Sequence, residues 1–497
     1  MSRTLHEIIK KLPESQWITQ PDMNPSVLTL AHDSRKVGPG TLFVCMSGAT
    51  VDGHSFAAEA VKKGAVALLA EHSVESVDSV PVLLVPNVRK AVEALAPWFY
   101  HEPAASLRMI GVTGTNGKTT TTHIIRDIFN QAGRPCGVSG TLHTLIGDRI
   151  IPVKNTTPDV LDLQSALHDM VTGGMQYVAM EVSSHALALG RVAGCEFDTA
   201  VFTNMTQDHL DFHQTLENYR DAKAMLFRQL DNSNPHKNNK TAIANIDDPT
   251  GRFMLEQTKA RRISYGIDNK ATIRAINVDI RPEFSRFSVT GELGDFVVQS
   301  KMTGLFNVYN MLAAISVAFA EGIGSRDIQA AIEKFSCVPG RFERVEIDRP
   351  FSVIVDYAHT PDGLENVLRT AKQFVRGRLI VVFGCGGDRD RTKRPIMGEL
   401  AARYADQVIV TSDNPRSEDP EFIIRQIMVG IASPEMQSRT EIVTDRRMAI
   451  ERAMDMGGPG DVILIAGKGH ENYQILADRT IHFDDREVVR ELAGGKK

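Results

Sequence analysis

The chain has 497 residues, 42% of them hydrophobic and 24% charged, the balance of a globular protein of two to four domains. A formal net charge of −5 gives no reason to expect nucleic acid or an anionic membrane as a partner. No apolar run approaches the roughly 20 residues of a spanning helix, residues 1–13 lack the apolar stretch of a secretory signal, and the five cysteines stand singly without a CxxC pair; a cytoplasmic chain with reduced thiols and no membrane insertion is expected.

The first block alternates short strands and helices. Thr41–Val44 reads as a strand, 56–63 as a helix and 65–69 as a strand, with Val37-Gly38-Pro39-Gly40 as a turn.

The second block opens on the most informative segment. An apolar strand over 107–112 runs into Gly111-Val112-Thr113-Gly114-Thr115-Asn116-Gly117-Lys118-Thr119-Thr120. A helix follows over 121–132, with Ile124, Ile125, Ile128 and Phe129 on one face and Gly133 as its stop. Strand, glycine-rich turn and helix start make a phosphate cradle. Backbone N–H groups and the helix dipole face the anion, Lys118 adds a point charge, and Thr119 or Thr120 can hold Mg²⁺. The spacing departs from the common P-loop: Val112 stands where a glycine is usual, and the glycines fall at 111, 114 and 117.

Further strands are expected at 177–182 and 199–203, and an exposed loop over 231–240. Glu181, at a strand tip beside the cradle, suits a Mg²⁺ ligand; a solvated strand-end glutamate is the alternative. His209 lies among acids and a second histidine, Thr206-Gln207-Asp208-His209-Leu210-Asp211-Phe212-His213, where a metal or phosphate role stands beside a structural one. Lys223 reads as an ordinary helix-surface lysine.

The third block shows apolar strands at 352–355, Leu379–Phe383, 408–410 and 462–465, each ending in polar or glycine residues, with helical patterns between them. That alternation predicts an α/β fold with a mostly parallel sheet and ligands at the carboxyl ends of its strands. Asp413-Asn414-Pro415-Arg416 follows one such end. It reads as a plain turn on composition, yet an arginine placed there can fork a carboxylate with two parallel hydrogen bonds. Gly384-Cys385-Gly386-Gly387 lacks the GxGxxG spacing, so no NAD is expected.

Four motifs then occur in a set order: Gly114-Thr115-Asn116-Gly117-Lys118-Thr119, Glu181-Val182-Ser183-Ser184-His185, Thr203-Asn204 to His209, and Asp356-Tyr357-Ala358-His359-Thr360-Pro361. Together they resemble the Mur ligases of peptidoglycan synthesis over almost the whole chain, and in particular the branch that adds 2,6-diaminopimelate as third residue of the stem peptide. The resemblance implies three domains: 1–102 for the UDP end of the substrate, 103–337 as a P-loop ATPase, and 338–497 as a Rossmann-like domain carrying the incoming amino acid. It implies a monomer that joins small molecules with ATP as co-substrate.

The same resemblance implies the site. Lys118, Lys223, Glu181 and His209 carry catalysis. One or two Mg²⁺ ions are held by Thr119, Glu181, His209 and Lys223, the last carbamylated to N6-carboxylysine, which turns a cation into an anion. ATP meets Gly114 to Thr120, Asn307, Arg341 and Asp356. Ser34 lies on the uridine side, while Asn155, Thr156, Thr157, Ser183 and Arg191 hold the muramoyl-dipeptide. Leu189 is a departure, since some members carry a glutamine two residues before that arginine. Diaminopimelate meets Arg389, Asp413, Asn414, Pro415, Arg416, Gly467 and Glu471. Arg416, helped by Arg389, would take its distal carboxylate, and Asp413 or Glu471 its ammonium. Lysine lacks that carboxylate and would leave the guanidinium groups unpaired, a rejection of roughly 10⁴-fold. The rival expectations are the lysine-adding sister ligase, a folylpolyglutamate synthetase-like ligase and a nucleotide-dependent switch.

Overall fold

The computed structural model describes residues 2–494, except 13–14, 20–21, 49–50, 75–76, 78, 233–236 and 282–283. Three main sheets follow one another along the chain. In the N-terminal sheet, Thr29–Ala31, Thr41–Val44, Ala65–Ala70 and Val82–Leu84 run parallel, and Gln16–Thr19 closes one edge antiparallel. Successive side chains alternate between two cores: Leu42 and Val44 enter one, Phe43 and Cys45 the other. The expected helix at 56–63 starts instead as a 3₁₀ turn, Gly53–Phe56, and becomes α-helical only over Ala57–Lys62.

The central sheet has eleven strands. Arg108–Thr113 lies at its heart, between Tyr177–Glu181 and Phe197–Phe202, both parallel to it. The chain builds one side of the sheet before crossing to the other, so the carboxyl end of Arg108–Thr113 is a topological switch point, where ligands bind. The helix Lys118–Gln131 leaves that end and packs Ile124, Ile125, Ile128 and Phe129 against Val308, Met311, Leu312 and Ile315 of Leu305–Ala320. The helix begins three residues before the sequence expectation, at the cradle lysine itself.

Two features of this sheet depart from the sequence reading. An antiparallel extension, Ile273–Ile280, Ser285–Gly291 and Phe296–Ser300, widens the sheet. The stretch 231–240, expected as an exposed loop, carries a buried lysine. Lys237 Nζ donates to the Leu107 carbonyl (2.8 Å), the Glu196 carbonyl (2.7 Å) and Asp198 Oδ2 (2.7 Å). Its charge is compensated from three sides, which is what permits its burial.

In the C-terminal sheet, Ser352–Asp356, Val462–Ala466, Leu379–Phe383, Gln407–Val410 and Thr440–Ile442 are parallel, with Glu343–Val345 antiparallel at one edge. Val381 and Phe383 face one core, Ile380 and Val382 the other, so continuous apolar runs are needed. Among the described residues, no helix is long and apolar enough to cross a membrane.

Candidate active site

The phosphate cradle forms at the switch point. Gly117 caps Lys118–Gln131 with a φ of 86°, a left-handed conformation a glycine adopts freely. A Cβ there would also strike Asn310 Oδ1 at 2.3 Å. No side chain caps this helix start, so its positive end is open to an anion. The loop is braced from the neighbouring strand end. Asn204 accepts the Thr115 N–H on its carbonyl (2.9 Å) and the Asn116 N–H on Oδ1 (2.9 Å), while Thr203 Oγ1 donates to the Asn116 carbonyl (2.7 Å). Lys118 Nζ folds back onto the carbonyls of Gly114 (2.9 Å) and Thr115 (2.8 Å). Burial lowers its pKa, with Glu181 and Asp208 acting in the opposite sense.

Glu181 is fully buried, which removes the reading as a solvated strand-end acid. Thr119 Oγ1 donates to its Oε2 (3.0 Å), and Thr141 donates from its backbone N–H (2.8 Å) and its hydroxyl (2.9 Å). Gly140 makes room for it: a Cβ there would meet Glu181 Oε1 at 2.2 Å.

Lys223 corrects the sequence reading of a surface lysine. It sits on Leu216–Arg228 with only 1% of its surface exposed, and its Nζ lies 4.1 Å from the centre of the Tyr219 ring. Burial, and then the neighbouring Lys118, lower its pKa well below the usual lysine range, with Asp208 opposing. His209 sits nearby in a left-handed conformation, its ring 6.0 Å from Tyr219 and 4.7 Å from His185. Its pKa is lowered by burial, and Lys118 and Lys223 both contribute. Glu181, Lys118, Lys223 and His209 therefore share one electrostatic neighbourhood. Oxygen donors at Thr119 and Glu181 fit a hard divalent cation such as Mg²⁺.

The C-terminal domain completes this side. Arg341 Nη2 reaches Thr119 Oγ1 at 3.5 Å, and its guanidinium carbon lies 4.6 Å from the centre of the Tyr357 ring. Asp356 accepts the N–H groups of Phe342 (2.6 Å) and Ala358 (2.7 Å), and burial lifts its pKa to about 6. Asn307 is buried at the start of Leu305–Ala320, donating to the Thr303 carbonyl (2.9 Å) and accepting from Asn310 (3.1 Å). Thr120 is buried in the first turn after the cradle.

On the opposite side, Ser34 begins the short turn Ser34–Lys36 and accepts from Lys63 on its carbonyl (3.1 Å). Lys154 bridges that turn to the next segment by pairing with Asp33 at 3.0 Å. Asn155 is exposed. Thr156 Oγ1 lies 3.1 Å from Thr141 Oγ1, and Thr157 Oγ1 donates to the Glu181 carbonyl (2.9 Å) and accepts the Ser183 N–H (3.1 Å). Ser183 caps Ser184–Ala188, and Arg191 pairs with Asp159 (2.9 Å) and donates to the Thr157 carbonyl (3.3 Å).

Asp413 and Asn414 of the 413–416 turn are buried beyond the end of Gln407–Val410. Asn414 Oδ1 accepts the Ile475 N–H (2.9 Å) and its Nδ2 donates to Glu471 Oε2 (2.8 Å). The fully buried Lys468 also donates to Glu471 Oε2 (3.0 Å), so part of that carboxylate is already engaged. Pro415 is buried, and Arg416 follows with a φ of 53°. Its backbone N–H donates to the Ile475 carbonyl (3.1 Å) and its Nη1 to the Gly387 carbonyl (2.9 Å). Gly386 stands between the two expected arginines: a Cβ there would meet Arg416 Nη1 at 2.9 Å and Arg389 Cγ at 3.8 Å. Arg389 is exposed, with Nη1 on the Asp388 carbonyl (2.9 Å). Gly467 allows close approach to Asp413, whose Oδ2 would lie 2.6 Å from an added Cβ.

Residues outside the sequence reading hold these pieces together. Asp362 Oδ2 accepts from Asn116 Nδ2 (2.7 Å) and Thr206 Oγ1 (2.8 Å), tying the phosphate loop to the helix Pro361–Phe374. Tyr219 Oη lies 3.1 Å from Thr115 Oγ1. The one available signal was Asp362's place just after the His359-Thr360-Pro361 motif, at a helix start.

Three family descriptions match: the Mur ligase middle domain over residues 112–318, the Mur ligase glutamate ligase domain over 340–469, and the Mur ligase family catalytic domain over 27–100. A protein of Geobacillus thermodenitrificans named UDP-N-acetylmuramoyl-L-alanyl-D-glutamate–2,6-diaminopimelate ligase is 49% identical, over 98% of this chain and 98% of its own. A Bacillus cereus protein of the same name is 47% identical over 99% of both. A solved structure bearing that name is 35% identical, with a TM-score of 0.66 over 99% of each chain. Folylpolyglutamate synthase of Mycobacterium tuberculosis, at 16% identity and a TM-score of 0.62 over 82% of this chain and 95% of its own, shares the fold alone.

Proposed function

The chain belongs to the Mur ligase family, and from that premise we propose that it adds meso-2,6-diaminopimelate to UDP-N-acetylmuramoyl-L-alanyl-D-glutamate at the cost of ATP. The proposal takes domain boundaries near 102 and 337 and a cytoplasmic monomer, to which five free cysteines are suited. The observation that carries it is the 413–416 turn. Its guanidinium is held by backbone carbonyls at 2.9 and 3.4 Å, beside a buried acid, at the carboxyl end of a parallel strand. That pairing matches an amino acid with a distal carboxylate beside a distal ammonium.

In this reading the side-chain carboxylate of the substrate's D-glutamate attacks the γ-phosphate, ADP leaves, and the amine displaces phosphate from the acyl phosphate. Two anions must meet in the first step. Lys118 and the open helix start receive the phosphates, Arg341 faces them from the C-terminal domain, and Asp356 takes the ribose. Asn307 contacts the adenine. Ser34 and the 155–157 segment, with Ser183 and Arg191, align the muramoyl-dipeptide. Mg²⁺, one ion or two, held by Thr119, Glu181, His209 and carbamylated Lys223, supplies further charge neutralisation when bound. Asp413, and the unshared part of Glu471, receive the distal ammonium, while Arg416 with Arg389 receives the carboxylate.

The test is ADP release in the presence of UDP-muramoyl-dipeptide with diaminopimelate, lysine or no amino acid. Release that requires diaminopimelate is the expected result. Release with lysine alone would overturn the choice of amino acid, and release independent of either would favour a nucleotide switch.

A further inference from the structure

His470 lies between the nucleotide side of the site and the amino-acid side. A continuous row of contacts reaches it from the cradle. Arg341 Nη2 meets Thr119 Oγ1 at 3.5 Å, the Arg341 guanidinium lies 4.6 Å from the Tyr357 ring centre, and that ring lies 4.9 Å from the His470 ring. In sequence, His470 stands next to Glu471, which shares the buried Lys468 with Asn414. Its backbone is pressed against Gly340, where a Cβ would meet the His470 nitrogen at 2.0 Å, so the backbone that carries the ring is set by close packing. Its Nδ1 is buried and has no hydrogen-bond partner. A buried, unpaired ring nitrogen is costly unless a ligand completes it.

We propose that His470 orients the attacking amine: its Nδ1 lone pair accepts an N–H of the incoming amino acid and directs the nitrogen lone pair at the acyl phosphate. The proposal rests on the ligase reading above and adds a residue to its second step. Burial and the nearby Arg341, Arg486, His143 and Lys468 hold the His470 pKa down to about 3, so the imidazole stays neutral, and in its Nε2–H tautomer Nδ1 offers a lone pair. The amino acid gives up one ammonium proton to solvent as it enters. The N–C bond then forms, the C–O bond to phosphate breaks, and phosphate leaves with the electron pair. The surplus proton on nitrogen passes to the departing phosphate.

The experiment uses full-length His470→Ala and His470→Asn enzymes and reads the two half-reactions apart. Acyl phosphate made from ATP and UDP-muramoyl-dipeptide is trapped as a hydroxamate by hydroxylamine, which is unprotonated at neutral pH and needs no orienting group. Ligation is read with diaminopimelate. His470→Ala is expected to keep wild-type hydroxamate formation and lose on the order of 100-fold in kcat for diaminopimelate, the scale of a misplaced reactant. His470→Asn, which retains an acceptor oxygen, is expected to recover part of that loss. Equal loss of both half-reactions, or no loss of ligation, would overturn the assignment. A wild-type enzyme that forms no hydroxamate would instead overturn the ligase reading beneath it.

Discussion

Asp362 Oδ2 accepts a hydrogen bond from Asn116 Nδ2 at 2.7 Å, although the two residues are 246 positions apart. The same oxygen receives Thr206 Oγ1 at 2.8 Å and Asn366 Nδ2 at 3.1 Å. One carboxylate thus fixes the phosphate loop, the strand-end loop after Phe197–Phe202 and the first helix of the C-terminal sheet.

Asp362→Ala leaves Asn116 and Thr206 without their acceptor. Losing a buried acceptor costs about 1–3 kcal/mol, and this loss falls on a loop that must be ordered to bind nucleotide. The expected outcome is ATP affinity weaker by roughly tenfold, the equivalent of about 1.4 kcal/mol, measured by calorimetric titration.

Lys223 presents a second test. Burial lowers its pKa, which favours the neutral amine that takes up carbon dioxide. With ¹³C-bicarbonate, a carbamate carbon signal is expected in the wild-type protein and none in Lys223→Arg, together with a loss of ligation of roughly 10³-fold. Before carbamylation the unfolded chain binds the proton more tightly than the folded one. Stability is therefore lost as pH falls from 10.5 toward the lowered folded value.

Lys237 and Asp198 are a structural counterpart, exposed by only 3% and 1%. Lys237→Ala takes the nearer of two cations from the buried Asp198 carboxylate, which keeps Arg108 at 3.6 Å and the Met109 N–H at 2.7 Å. A loss of about 3–5 kcal/mol is expected in urea unfolding, while nucleotide affinity of the folded fraction stays unchanged.

Asp356 predicts a pH effect of the opposite sense. Its pKa is raised from 3.8 to about 6 by burial, so between those values the folded state binds the proton more tightly. Its contribution to stability is fully present below 3.8 and declines as pH rises through about 6. The difference in unfolding free energy between wild type and Asp356→Ala should shrink over that window, and an NMR titration should show the carboxyl changing near its upper end.

The contiguous parts of this architecture were readable in the sequence. The cradle is one run of strand, turn and helix, and the central strands of the C-terminal sheet are unbroken apolar runs because both faces are covered. Parts built by long-range pairing were not. Asn204 braces Asn116 from 88 positions away, Tyr219 meets Thr115 across 104, and Thr141 holds Glu181 across 40. Lys223 looks like a surface lysine because nothing in its local spacing singles it out, and its burial on Leu216–Arg228, a helix tied to the cradle through Tyr219 and Thr115, appears only in the fold. The loop at 231–240 is exposed at 231, 232, 238 and 239 as expected, and the burial of Lys237 within it was hidden for a related reason: its partners Leu107 and Asp198 are remote in sequence. Edge strands such as Thr440–Ile442 are three residues long, too short for a periodic signal.

The decisive measurement is the ratio of kcat/KM for diaminopimelate to that for lysine, in the wild type and in Arg416→Ala. A wild-type ratio of roughly 10⁴ is expected, because lysine leaves the guanidinium charge without its carboxylate. In Arg416→Ala the ratio should collapse through loss of the diaminopimelate term while the lysine term holds or rises. A ratio unchanged by removal of Arg416 would contradict the recognition of a distal carboxylate by the 413–416 turn.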